Sequence, residues 1–238
     1  MVTSKQETLC SERKRQRSAW FLETSRRGDL DTVIFSSTKR FNDADFNLRP
    51  TPGNGAEALA NLQQPAATVQ RPTATVLQGS GPVSRRVQRP MRRPVAAWAA
   101  IGVGVKRLII LRDGNLFTAK DYVDQCLSNC VDLFPNRVFM QDNTAAHKAA
   151  TTKAWLEANG VNVLAGWPSF ASAANPMEAM WAMVAAGVAR QAPKDPMELQ
   201  KSIIAAWNAV PQSTIDGIVL SFKAKAETAA ENEGLSAQ

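Results

Sequence analysis

Residues 137–164, RVFMQDNTAAHKAATTKAWLEANGVNVL, switch pattern twice, and the switching decides the fold class. Arg137 to Gln141 reads as a strand that ends at Asp142-Asn143. Ala145 to Asn159 reads as a helix, stopped by Gly160 in a left-handed cap. Val161 to Leu164 reads as a second, short strand.

Upstream, Val95 to Val103 and Arg107 to Arg112 form two apolar runs joined by a short turn, with a further turn signal at Asp113-Gly114. Thr118 to Phe134 reads as a helix with Tyr122, Val123, Cys126, Leu127 and Val131 on one side. Residues 32–36 read as a buried strand, and Lys39 to Leu48 as a second one after a turn. Downstream, Asn175-Pro176 opens a helix that buries Met177, Met180, Trp181, Val184 and Val188. Asp195-Pro196 opens another, with Leu199, Ile203, Trp207 and Val210 inward, and Ser213 begins a last one ending near Gly234. This order implies an α/β domain, a mixed central sheet with helices packed on its faces.

The 238 residues, 45% of them hydrophobic, suffice for one domain with a real core. The chain divides into a basic N-terminal segment (1–30), a domain over 31–234 and a short tail at 235–238. Within the domain, 49–94 is rich in proline and arginine and reads as a long loop or flap. The net charge of +7 favours a polyanionic partner, meaning nucleic acid or an acidic membrane surface. No apolar run reaches the ~20 residues of a membrane span, and no signal peptide is visible, so a soluble intracellular protein without a membrane partner is expected. Cys10, Cys126 and Cys130 complete no zinc set and read as reduced thiols.

Two acids stand out by context. Asp142 follows a strand, and Glu178 sits in the first turn of a helix that follows the next strand. Strand ends and adjoining helix starts converge on one sheet edge, where ligands usually bind. Carboxylates gathered there repel, and a divalent cation such as magnesium relieves the repulsion. Each also has a plainer reading. Asp142-Asn143 is a good turn or cap, and Glu178 suits a capping box with Asn175. Asp195-Pro196-Met197-Glu198 has the same form as Asn175-Pro176-Met177-Glu178, so spacing alone does not decide.

Several blocks resemble mariner/Tc-type DNA transposases. Gln141-Asp142-Asn143 with His147 is similar to the family's "QDN…H" block, and Trp167-Pro168 with Asn175-Pro176-Met177-Glu178 and Trp181 to its "WP…NPIE" block followed by tryptophan. Val95 to Ile101 resembles "VMVWGCI", and Asp113-Gly114 with Tyr122 and Leu127 resembles "DG…Y…L". Val33 to Phe41 resembles "VLFSDEKRF", and Leu199, Trp207, Ile215 and Ser221 resemble the C-terminal helices.

The resemblance implies an RNase H-like fold and DNA strand cleavage and transfer, with three carboxylates holding two divalent ions, Mg2+ or Mn2+, ~3.5–4 Å apart. It makes Asp142 the second ligand and Glu178 the third. The first falls at Ser37, because Ser36-Ser37-Thr38 stands where the family has Ser-Asp-Glu. A neutral hydroxyl is a poor magnesium ligand, so impaired cleavage is expected. Asp31, Asp43 and Asp45 are poorly placed to substitute. Ala171-Ser172-Ala173-Ala174 replaces the family's "SPDL", and the 35 residues between Asp142 and Glu178 exceed the usual spacing by one. These departures suggest a decayed or repurposed copy.

The resemblance further implies DNA as partner, a nuclear location and room for a homodimer. The helix-turn-helix pair of full-length relatives does not fit the roughly thirty residues before the first strand, so phosphate contacts are expected to dominate. Candidates are Arg13, Lys14, Arg15 and Arg17, and the cluster Arg85, Arg86, Arg89, Arg92 and Arg93. A solvated arm explains either cluster equally well. The alternatives are an inactive transposase-derived DNA-binding or protein-interaction module, or an unrelated α/β protein whose Glu178 only caps a helix. His147 reads either as a locally packed helix residue or as a neighbour of the site, with no acid–base role assigned.

Overall fold

The computed structural model describes residues 16, 19–20, 23–24, 28–42, 94–112, 117–168 and 174–234. Five strands build one sheet: β1 (Val33–Phe41), β2 (Val95–Gly102), β3 (Val105–Ile110), β4 (Val138–Met140) and β5 (Asn162–Val163), in the order β3-β2-β1-β4-β5. β1, β2 and β3 run antiparallel to one another, whereas β4 is parallel to β1 and β5 to β4. The parallel pairs need crossovers, and the helices supply them.

Alternation along the strands sends side chains into two cores. On one face Val33, Phe35, Ala97, Ala99, Val138 and Met140 meet α4 (Pro176–Gln191), α5 (Pro196–Ala209) and α6 (Gln212–Gly234). On the other, Ile34, Trp98, Ala100 and Phe139 meet the segment 122–134 and α3 (Ala150–Ala158). Helices therefore cover both faces of a mixed sheet, as the element order implies. Trp20 joins the first core, donating its indole N–H to the Ala165 carbonyl at 3.1 Å.

Both Asn-Pro and Asp-Pro helix starts form as read. Asn175 accepts from the Met177 N–H, and Asp195 from those of Met197 and Glu198. The apolar residues assigned to each helix's inner face are buried. α4 and α5 approach closely because residue 187 is glycine: a Cβ there would lie 2.7 Å from the Ala206 Cβ.

The structure departs from the sequence reading in three places. β1 runs on to Phe41, so Lys39, Arg40 and Phe41 extend it rather than open a new strand. Thr118 to Phe134 is not one regular helix. A single α-turn, α1 (Ala119–Asp121), widens into a π-turn at Tyr122–Cys126 and tightens into 3-10 turns at Leu127–Asn129 and Val131–Leu133. Tyr122, Val123, Cys126 and Leu127 stay buried, but Val131 is 48% exposed. The helix over 145–159 breaks at Ala149 into α2 (Ala145–Lys148) and α3, and the buried Thr152 hydroxyl donates to the Ala146 carbonyl beside the break.

Residues 43–93, with Asp43, Asp45 and the arginine cluster at 85, 86, 89, 92 and 93, lie outside the described residues. So do Arg13, Lys14, Arg15, Arg17, Asp113, Gly114 and Ser169 to Ala173. Among the described residues no helix is long and apolar enough to cross a membrane.

Candidate active site

β1 and β4 bring the first two positions together. Their parallel register pairs Phe35 with Met140, so two further residues along each chain align Ser37 with Asp142. Phe35 and Met140 both point into the α4–α6 core, and alternation puts Ser37 on that same face. Ser36, one residue earlier, turns the other way; its hydroxyl donates to the Met140 carbonyl at 2.9 Å.

The third position arrives on α4. Asn175 is buried at its N-cap and donates its side-chain N–H to the Ser36 carbonyl at 3.1 Å. This bond ties the start of α4 to the strand residue next to Ser37. Glu178 lies in the first turn of α4 and is exposed. Three distant points of the chain thus reach one edge of the sheet.

The capping reading of Glu178 can be compared directly with its look-alike. In α5 the Glu198 carboxylate turns back to accept from the Lys194 N–H at 2.7 Å. In α4 the cap is made by Asn175, and the Glu178 side chain takes no part in it. Two sequences of one form are used differently.

Asp142 is held by its neighbours. One carboxylate oxygen, Oδ1, accepts from the Thr144 N–H at 3.0 Å and lies 2.8 Å from His147 Nδ1. The turn reading of Asp142 is thereby realised, but it occupies one oxygen only. Burial pushes the carboxyl up, while the His147 and Thr144 bonds pull it down by more, and it rests below the ordinary aspartate value. His147 is 5% exposed and packs its ring 4.2 Å from that of Tyr122. Tyr122 donates its hydroxyl to Gln141 Oε1 at 2.9 Å. Burial drives the phenol well above its usual range, so it remains a donor. Asn143 donates to the Trp167 carbonyl and fixes the loop on the far side.

Of these groups, the sequence singled out Ser37, Asp142 and Glu178. It passed over Ser36, Gln141 and Asn175 as links. A polar residue at an inward strand position, as Ser36 is, was the available signal.

The donor set does not suit a two-ion centre as it stands. Among the described residues no three of His, Cys, Asp and Glu come together in a way that could hold a metal ion. Ser37 offers a neutral hydroxyl there, a poor ligand for a divalent cation beside Asp142. Asp31 lies in the turn before β1, roughly 20 Å of extended chain ahead of Ser37, and cannot replace it.

No protein-family model matches the chain. A sequence relative is the transposable element Tcb2 transposase of Caenorhabditis briggsae, 30% identical over 97 residues, which are 41% of this chain and 35% of that protein. The match thus spans about a third of the curated relative's length. Among solved structures, the catalytic domain of Mos1 mariner transposase superposes with a TM-score of 0.61 at 13% identity, covering 94% of this chain and 92% of that one. The same domain with raltegravir and Mn gives 0.59 at 12% identity, over 93% and 92%. The Mos1 paired-end complex with left transposon end gives 0.58 at 15% identity, covering 93% of this chain and 61% of that one. These identities speak to fold, and the fold is RNase H-like. The chain thus shares the fold of the Mos1 catalytic domain and, over 97 residues, sequence with one transposase.

Proposed function

We propose that residues 31–234 form a transposase-type unit for DNA strand cleavage and transfer whose cleavage step is impaired at Ser37. The observation that carries this reading is the meeting of Ser37, Asp142 and the start of α4 at one sheet edge. Asp142 and Glu178 keep the second and third carboxylates, and Ser37 takes the place of the first. Changes beyond the ligands themselves typically cost ten- to a hundredfold in metal affinity or activity, and replacing a ligand costs more. The residues present do not complete a two-ion set, so no step is assigned to such ions in this chain; the family chemistry would need Mg2+ or Mn2+ with the set restored. DNA is the partner in this reading, held through phosphates by the arginines at 85–93 and the basic N-terminal segment, in the nucleus and with room for a homodimer.

Nicking of supercoiled plasmid in Mg2+ or Mn2+ tests it. The expected result is little nicking by the natural chain, a gain in Ser37→Asp, and loss of that gain when Asp142→Ala is added. If Ser37→Asp changes neither nicking nor Mn2+ binding, the assignment of the site is wrong. A second reading, a DNA-binding module without catalysis, is favoured by the incomplete carboxylate set and the net charge of +7. It expects salt-sensitive DNA retention, each neutralised phosphate adding about 0.9 to the slope of log affinity against log salt, and no nicking in any variant.

A further inference from the structure

His147 is the single histidine of the chain, and its setting is unusual. Nδ1 faces two oxygens of one residue, the Asp142 carboxylate at 2.8 Å and the Asp142 carbonyl at 3.1 Å. Both are acceptors, so Nδ1 must carry a hydrogen. Nε2 is buried and has no hydrogen-bond partner among the described residues. A histidine kept only to fill space would not need a polar atom stranded there. All the polar function of the ring is directed at Asp142. The ring plane is set in turn by Tyr122, which is itself tied to Gln141, the residue before Asp142.

We infer that His147 is a positioning residue that locks one oxygen of Asp142, together with the Thr144 N–H, so that the other oxygen is presented to the sheet edge. The inference rests on the reading of Asp142 as a site carboxylate, but the lock itself can be tested without it. The geometry explains why a carboxylate that is 41% exposed would hold one orientation. Two donors on Oδ1 fix its torsion, and the buried ring behind it cannot swing away. Tyr122 and Gln141 close a loop from the ring back to the strand end.

The test has two arms. In metal-free protein, imidazole nitrogen shifts by NMR should show a hydrogen on Nδ1, and three-bond couplings should give Asp142 a single χ1 rotamer. His147→Asn places an amide nitrogen where Nδ1 stood and should retain that rotamer. His147→Leu keeps bulk but no donor and should let Asp142 average between rotamers. A hydrogen on Nε2 alone, or a single Asp142 rotamer in the leucine variant, would overturn the inference. The nitrogen shifts need no variant, so they decide even if His147→Leu fails to fold. The second arm titrates Mn2+ into Ser37→Asp. There His147→Leu should weaken binding roughly ten- to a hundredfold, with His147→Asn close to the parent. Absence of Mn2+ binding in Ser37→Asp itself would count against the site assignment and leave the NMR arm to judge the lock.

Discussion

The side-chain amide of Asn175 bridges α4 and β1: its N–H reaches the Ser36 carbonyl at 3.1 Å while its oxygen accepts from the Met177 N–H at 3.0 Å. One residue therefore caps a helix and anchors it to the strand that carries position 37. Asn175→Ala removes both bonds, and the expected cost is about 2 kcal/mol, about one for the cap and about one for the cross-link. Asn175→Asp keeps the cap but sets an acceptor against the Ser36 carbonyl, so it should recover only part of the loss. Urea unfolding of the three proteins decides this, and equal stability of the aspartate variant and the parent would show that the cross-link contributes nothing.

Gly187 allows α4 and α5 to touch. Alanine there would gain about 1 kcal/mol of helix propensity, but its Cβ would meet Ala206 at 2.7 Å. Overpacking costs about 1–3 kcal/mol, and the obstacle is a methyl group on the neighbouring helix with no rotamer to change. Gly187→Ala should therefore lower the unfolding midpoint, and Gly187→Val should lower it further. A rise in Tm for the alanine variant would mean that the two helices separate freely.

Lys106 on β3 reaches the C-terminal end of α5, donating to the Val210 carbonyl at 2.7 Å and to those of Trp207 and Asn208 at 3.4 Å. A cation there satisfies free carbonyls and opposes the negative end of the helix dipole. Lys106→Met keeps the stem and loses the charge, at a cost of about 1–2 kcal/mol. The deficit should narrow as salt is raised. A gap that does not respond to salt would point to lost packing instead.

Cys126 and Cys130 are fully buried, and burial pushes the Cys130 thiol up to about 12 and the Cys126 thiol higher still. Neither should react with a thiol reagent at pH 8 in the native state, while both should react once unfolded. A group whose folded value is raised contributes fully below its unfolded value, about 8.5, and loses that contribution as pH climbs toward the folded one. Tm should therefore fall between about pH 9 and pH 12, and Cys130→Ala should flatten that slope after its own packing loss is subtracted. Rapid labelling of the native thiols would contradict the burial.

The sequence announced the long helices plainly, because Asn-Pro and Asp-Pro starts and a 3.6-residue period are local signals. It could not announce the distortions. Between Thr118 and Phe134 there is no glycine or proline, so nothing local separates an α-helix from the π and 3-10 turns that form. The break at Ala149 likewise has no glycine or proline to mark it. At the site, resemblance selected Asp142 and Glu178, whereas spacing alone left Glu178 equal to Glu198. Their difference appears only in three dimensions, where Glu198 folds back on its own helix start and Glu178 does not. The attachment of His147 to Asp142 was equally hidden, since it depends on Tyr122 packing against the ring from another segment.

Ser36 and Ser37 look interchangeable on paper, yet the pleat gives them separate duties. Ser36 is sealed between layers and bonded to the next strand, so a bulkier or charged group there would strike at assembly itself. Ser37 lies mid-strand beyond the end of β4 and is only partly covered, so a change there meets fewer neighbours. The strand thus keeps its structural bond at one serine and leaves the next free to vary without loss of the scaffold.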